Sequence, residues 1–193
     1  SNFRNFAIWV IIALLLIVLG ISLRLNPEHM HNLVPIGAIA VYAGARLPRH
    51  WALFTPMAIM IATDLVLDLY IYPQYRRGPF EPSRLAAYGS YLTMVLLGRL
   101  VRRDQRFEVP VAMTLVGSLI FFVTTNAAVW ASGMSLQPMT LPGLVACFAD
   151  AVPFYRTTIQ ADFVGAIIMF GVDFAIRPVL AKKPRLASWA GFE

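Results

Sequence analysis

The chain has 193 residues, 59% of them hydrophobic and only 13% charged, whereas soluble domains carry about 25% charged residues. A water-soluble fold is excluded, and a single all-helical integral membrane domain is expected. The formal net charge of +6 is spread over short separate basic clusters, so no nucleic-acid surface is called for, and one cysteine, Cys147, excludes an intramolecular disulfide.

A membrane-crossing helix needs about 20 predominantly apolar residues. Six stretches approach this, near residues 6–25, 34–47, 51–72, 85–100, 109–130 and 155–180. The first reads as a retained helix and not as a cleavable signal, because its apolar run exceeds the usual ~7–15 residues and no small-x-small site follows. The second, rich in Gly and Ala with Pro35 near its start, is short enough to be tilted, broken or re-entrant behind its neighbours. The fourth is short but ordinary.

Between the third and fourth spans, PQYRRGPFEPS is a Pro-rich loop. Between the fifth and sixth, Ala131 to Phe154 contains LPGLVACFADAV, where Thr140 is placed to cap and Pro142 to occupy a first helical turn. This predicts a short amphipathic helix at the outer surface before the last span. The compact bundle of about six transmembrane helices then has both termini cytoplasmic, since 11 of the 16 basic residues fall on the inner side in that orientation.

Polar residues inside the spans carry the functional reading. A carboxylate at the bilayer centre costs roughly 2.5–3.5 kcal/mol on the insertion scale, so it faces a protein interior, a polar partner or a water-filled cavity. At ~1.5 Å rise per residue, Asp64 lies roughly 20 Å from the inner end of its span and Asp162 roughly 10 Å from the outer end of its own, at similar depth. Asp68 stacks one turn above Asp64, and Thr125 and Asn126 reach about the same level.

With Arg156, Thr158 and Gln160, these residues form the expected ligand-binding group: Asp64, Asn126, Arg156, Thr158, Gln160 and Asp162, converging on an outward-opening hollow ringed by Tyr and Trp. The competing structural reading pairs Asp68 with Arg84 and Asp162 with Arg156, the aromatics forming an interfacial belt. Asp173 precedes Arg177 by four residues, the spacing of a helical ion pair.

His29 and His31, flanking Met30 beside Glu28, are weak metal or tetrapyrrole ligand candidates, and Cys147 reads as a small buried hydrophobe. No H-E-x-x-H, G-x-S-x-G or P-loop is present. An enzyme is not expected, nor ATP-driven transport by this chain alone.

N-x-x-P-I-G-A at Asn32 to Ala38, T-D-L around Asp64, T-N-x-x-x-W at Thr125 to Trp130 and P-F-Y-R-T-T at Pro153 to Thr158 give the chain a wider resemblance. Over roughly Asn32 to Gly171 it resembles an uncharacterised bacterial membrane family described as transport proteins, similar to the substrate-binding S components of energy-coupling-factor (ECF) transporters. The resemblance implies a six-helix bundle of the bacterial cytoplasmic (inner) membrane that captures a vitamin- or metal-type micronutrient from outside and passes it inward with the help of other membrane subunits. It names no ligand and no cofactor. S components meet their partner through small residues on the first helix; here the best small-x-x-x-small pair is Ala40 and Gly44 in the second span. The alternative is a non-catalytic accessory subunit of a larger membrane complex, one with pigment or haem. A vitamin-sized cavity favours the first reading and a filled interior the second.

Overall fold

The computed structural model describes residues 2–26, 34–71, 73, 80–104 and 106–181, with side chains from 10 to 175 within the outermost helices. Among these residues there is no strand. Six helices follow in chain order: α1 (Asn2–Leu25), α2 (Ile36–Arg46), α3 (Arg49–Val66), α4 (Pro82–Leu100), α5 (Glu108–Ala131) and α6 (Leu141–Ala181). A π-helical turn, Leu67–Ile71, prolongs α3. Three helices are long and apolar enough to cross a membrane, within Arg49–Ile71, Glu108–Ala131 and Leu141–Ala175; Val10–Leu25 and Ile36–Arg46 are shorter apolar stretches.

The helix α2 is the centre of the bundle. Nine of its residues, Ile36 to Val41 and Ala43 to Ala45, are buried, and it packs against α3, α4, α5 and α6. Its sequence, IGAIAVYAGAR, is small enough on all sides to accept neighbours at backbone distance. A Cβ at Gly44 would collide with the Val95 carbonyl of α4, and one at Gly98 with the Val41 carbonyl of α2, so each helix lays a glycine against the other's backbone at this crossing. The pair read from sequence as a close-contact motif, Ala40 and Gly44, therefore lies on the internal α2–α4 seam. Elsewhere Gly20 receives Ile59 of α3, whose Cδ1 lies 2.6 Å from where a Cβ would be, and Gly117 receives Met94 of α4.

Four buried hydroxyls are satisfied within their own helices. Thr55, Thr63, Ser90 and Thr114 each donate to the carbonyl four residues back. This removes the desolvation penalty of an unpaired hydroxyl and leaves the outer helix surfaces free to be apolar.

The helix α5 ends in a Schellman turn. Gly133 takes φ 70°, its N–H donates to the Trp130 carbonyl, and the Met134 N–H donates to Val129. The Trp130 indole then donates to the Pro138 carbonyl and holds the following loop against the helix end. Thr140 caps α6 as expected, its side chain accepting from the Gly143 N–H at 3.3 Å.

A separate surface helix does not follow. The stretch LPGLVACFADAV is the beginning of α6, which runs unbroken for 41 residues, about 60 Å at 1.5 Å per residue. Its first turns run beside α5, with Phe148 edge-on to Phe122 and Cys147 near the Asn126 carbonyl. Pro153 sits inside this helix and forfeits one i→i−4 bond, and the packing against α5 outweighs that loss.

The α2–α4 crossing yields a direct test. Gly44→Ala should destabilise the protein by about 2–3 kcal/mol, because a carbonyl cannot move aside as a side chain can. Gly89→Ala, at a helical site with nothing within 4 Å, should be neutral or stabilising by up to ~1 kcal/mol. Thermal unfolding in detergent measures both; equal effects would mean that the crossing is looser than described.

Candidate functional site

Asp162 and Asp64 lie in different environments. Asp162 is 1% exposed and meets the beginning of α2. Its Oδ1 accepts from the Ala38 N–H at 3.0 Å, the Gly37 N–H also donates to the carboxylate, and the Ser118 hydroxyl of α5 donates to Oδ2. Pro35, the residue preceding α2, supplies no side-chain cap. Asp162 provides that cap from another helix, where the aligned peptide dipoles leave roughly half a positive charge.

The approach is close because Gly37 has no side chain: a Cβ there would collide with Asp162 Oδ2. One turn along α6, Gly165 admits Pro35 in the same manner, its missing Cβ lying 2.5 Å from Pro35 Cβ. Asp162, Gly165, Ala166, Phe170 and Asp173 recur at helical spacing and form the stripe of α6 that faces α2.

The same stripe grips the other end of α2. Asp173 accepts from Arg46 Nε at 3.0 Å and Nη2 at 2.7 Å, and the guanidinium lies 5.9 Å from the Phe170 ring centroid. Asp173 thus pairs across helices with Arg46, while the Arg177 side chain of the expected pair lies outside the described residues. The alternative pairing of Asp162 with Arg156 is absent: among the described residues Arg156 is exposed and makes no ion pair.

Asp64 belongs to a charged cluster at the C-terminal ends of α1 and α3 and the N-terminal end of α4. Its Oδ1 lies 2.7 Å from Arg24 Nη2, while its Oδ2 accepts from the Tyr88 hydroxyl at 2.7 Å and lies 3.5 Å from Arg84 Nε. Arg84 in turn holds Asp68 with both terminal nitrogens, at 2.8 and 3.0 Å. Arg24 also donates to the Thr63 hydroxyl and to the Met60 carbonyl. Glu81 caps α4, accepting from the Ser83 and Arg84 N–H groups. Asp68 follows Asp64 by one helical turn, so one guanidinium serves both.

A cavity of about 530 Å³ adjoins this cluster, lined by Arg24, Asp64, Asp68, Glu81 and Arg84 on one side and by Phe121, Thr125, Asn126 and Val129 of α5 on the other. A second, also about 530 Å³, shares those four α5 residues and is completed by Phe122, Ala151, Phe154, Tyr155 and Thr158. Phe122 and Tyr155 stack there with ring centroids 4.4 Å apart. Asn126 lines both; its amide nitrogen donates to the Phe122 carbonyl.

Of the six residues expected to share one hollow, Asp64 and Asn126 line the first cavity, and Asn126 and Thr158 the second. Arg156 and Gln160 are exposed and line neither, and Asp162 is buried against α2. His29 and His31 lie outside the described residues. Sequence reading missed Arg24, Tyr88 and Ser118 as partners of the two acids. Arg24 had a signal: it stands near the C-terminal end of α1 within side-chain reach of Asp64's level. Ser118 had none.

A family profile matches residues 4–183, nearly the whole chain, and its description is family of unknown function, DUF6580. The chain belongs to the DUF6580 family. Comparison with curated proteins and with solved structures returns no match. The geometry of this DUF6580 chain therefore has to carry the functional argument by itself.

The roles of the acids separate by stability. Asp162→Ala leaves two backbone N–H groups and a hydroxyl buried without an acceptor and should cost about 3–5 kcal/mol. Arg156→Ala and Gln160→Ala should stay within ~0.5 kcal/mol, as exposed positions do. Thermal unfolding of the three variants reads this out, and an Asp162→Ala protein as stable as the parent would remove the cap from the account.

Proposed function

We propose that this DUF6580 protein is a multi-pass protein of the bacterial cytoplasmic membrane, its six helices crossing with both termini inside. It binds a small molecule from the outer side, in the manner of an ECF S component, and passes it inward with a separate membrane subunit. No catalytic step is assigned to it.

The observation that carries this reading is the pair of adjoining cavities that share Asn126. Each, at about 530 Å³, falls within the ~300–1,000 Å³ of small-molecule sites. The second combines a few polar groups with aromatic walls, Phe121, Phe122, Phe154 and Tyr155, while the first adds a mainly charged wall beside Phe121; apolar walls with a few polar groups are how such sites fix orientation while burying apolar area. Asp64, Asp68, Arg24 and Arg84 neutralise one another on one wall, so a ligand meets an ordered array of donors and acceptors without a large net field. Thr125, Asn126 and Thr158 supply further hydrogen bonds.

The orientation rests on the positive-inside bias. It places the Asp64 cluster and both cavities at the outer end, where a ligand arrives. Hydrogen bonding and charge recognition are the roles assigned to Asp64, Asn126 and Thr158. Asp162 acts in this reading by holding α2, against which the other helices pack.

Native mass spectrometry of the gently purified protein tests the proposal. A retained molecule of a few hundred daltons is expected, lost in an Asn126→Phe variant that fills the shared wall and retained in Arg156→Ala. Companion subunits without any small-molecule adduct, in parent and variant alike, would favour the accessory-subunit reading and set the capture role aside.

A further inference from the structure

At the opposite end of the bundle the charge balance is different. Among the described residues, the acids there are already engaged: Asp173 holds Arg46, Asp104 holds Arg106, and Glu108 lies within electrostatic range of Arg106. Arg49, Arg99, Arg102 and Arg103 make no ion pair among the described residues. They are nevertheless gathered together. Gly98 packs its missing Cβ against the Val41 carbonyl and, at 2.9 Å, the Ala45 nitrogen, so the last turn of α4, with Arg99, and the turn after it, with Arg102, lie beside the end of α2, from which Arg49 follows four residues after Ala45 at the start of α3.

This cluster is held in place. The Arg102 carbonyl accepts from Arg46 Nη1 at 3.2 Å, and Arg46 is itself fixed by Asp173. The turn after α4 is thereby tied to α2 and α6. The chain that leaves α2 through Leu47 and Pro48 delivers Arg49 to the same place, Leu47 being fully buried and bonded to the Ala43 carbonyl. Like charges gathered on a fixed frame without ion pairs of their own among the described residues are stabilised by an anion from outside.

The surroundings define that anion. Leu96 and Leu100 of α4 are 60% and 80% exposed, and Phe54 of α3, edge-on to Trp51, is 53% exposed. Each lies within about a helical turn and a half of one of the arginines. An inorganic ion has no use for these apolar faces. A molecule with an anionic phosphate head and hydrocarbon chains satisfies both parts, the guanidinium groups forking onto the phosphate oxygens and the chains lying along the exposed leucines.

We propose that Arg49, Arg99 and Arg102 form a binding site for the headgroup of an anionic phospholipid of the inner leaflet. The site depends on the membrane orientation given above but not on the capture role. Its occupancy fastens the α2–α3 connection to the end of α4. The lipid thus acts as an external counter-ion at the end of the bundle where α2 and α6 are locked together.

Native mass spectrometry from mixed micelles of phosphatidylglycerol and phosphatidylcholine with identical chains tests this. The parent protein should retain phosphatidylglycerol at least tenfold over phosphatidylcholine, and Arg49→Gln/Arg99→Gln/Arg102→Gln should bring the ratio near one. Arg106→Gln, outside the cluster, should keep the parent ratio. Should the triple variant not fold, Arg99→Gln alone should lower the ratio at least threefold. Equal retention of both lipids by the parent, an unchanged ratio in whichever variant folds, or displacement of the lipid by millimolar inorganic phosphate would each overturn the assignment.

Discussion

A carboxylate aimed at the open end of a helix is the interaction on which this architecture depends. The helix α2 has 11 residues, roughly 16 Å of length, half of the ~30 Å hydrocarbon thickness of a bilayer. A helix that short, placed centrally, must begin inside the protein, where its first N–H groups have no water to bond. Asp162 answers them from α6, and Ser118 supplies a third donor to the same carboxylate. Neither group is tolerable there alone: the acid without donors is an uncompensated buried charge, and the helix end without the acid is a set of orphaned donors. Together they cancel.

The rest of the packing follows from that choice. A central helix surrounded on all sides must be thin, so α2 is built from Gly, Ala and β-branched or small aliphatic residues, and its neighbours bring their own glycines to the contact. Gly37 meets Asp162, Gly44 meets Val95, and Gly98 meets Val41. The helix α6 then acts as a rail, carrying Asp162 at one end of α2 and Asp173 at the other. The separation of 11 positions between the two acids matches the length of α2. Both helices therefore run in the same direction, as expected of the second and sixth members of an alternating bundle. With the acid at α2's positive end and a guanidinium in its last turn, both termini complement the helix dipole.

Much of this was legible in the sequence, and for identifiable reasons. Helix positions followed from long apolar runs: the stretches near 51–72 and 109–130 became α3 with its π-helical turn and α5 to within two residues, both long and apolar enough to cross a membrane. The weakness of the second span was informative too: Pro35 and the Gly/Ala content pointed to a tilted, broken or re-entrant helix shielded by its neighbours, and α2 is a short unbroken helix buried among them. Placing Asp64 and Asp162 as the exceptional residues was sound, because their burial cost required partners. Which partners was not readable, since that depends on helix rotation. Asp64 turned toward Arg24 and Arg84, and Asp162 turned toward a backbone, a partner that no side-chain pattern announces. The continuity of α6 through Pro153 was equally hidden, because tertiary contact with α5 overrode the local breaker.

The central claim is that Asp162 closes the first N–H donors of α2, and amide hydrogen exchange followed by mass spectrometry tests it at the affected backbone. Peptides spanning residues 35–41 should exchange as slowly as those from the middle of α5 in the parent protein. In an Asp162→Asn variant, which keeps size but weakens the acceptor, they should exchange at least tenfold faster while α5 is unchanged. Rapid exchange across 35–41 in the parent, or identical protection in both proteins, would contradict the account.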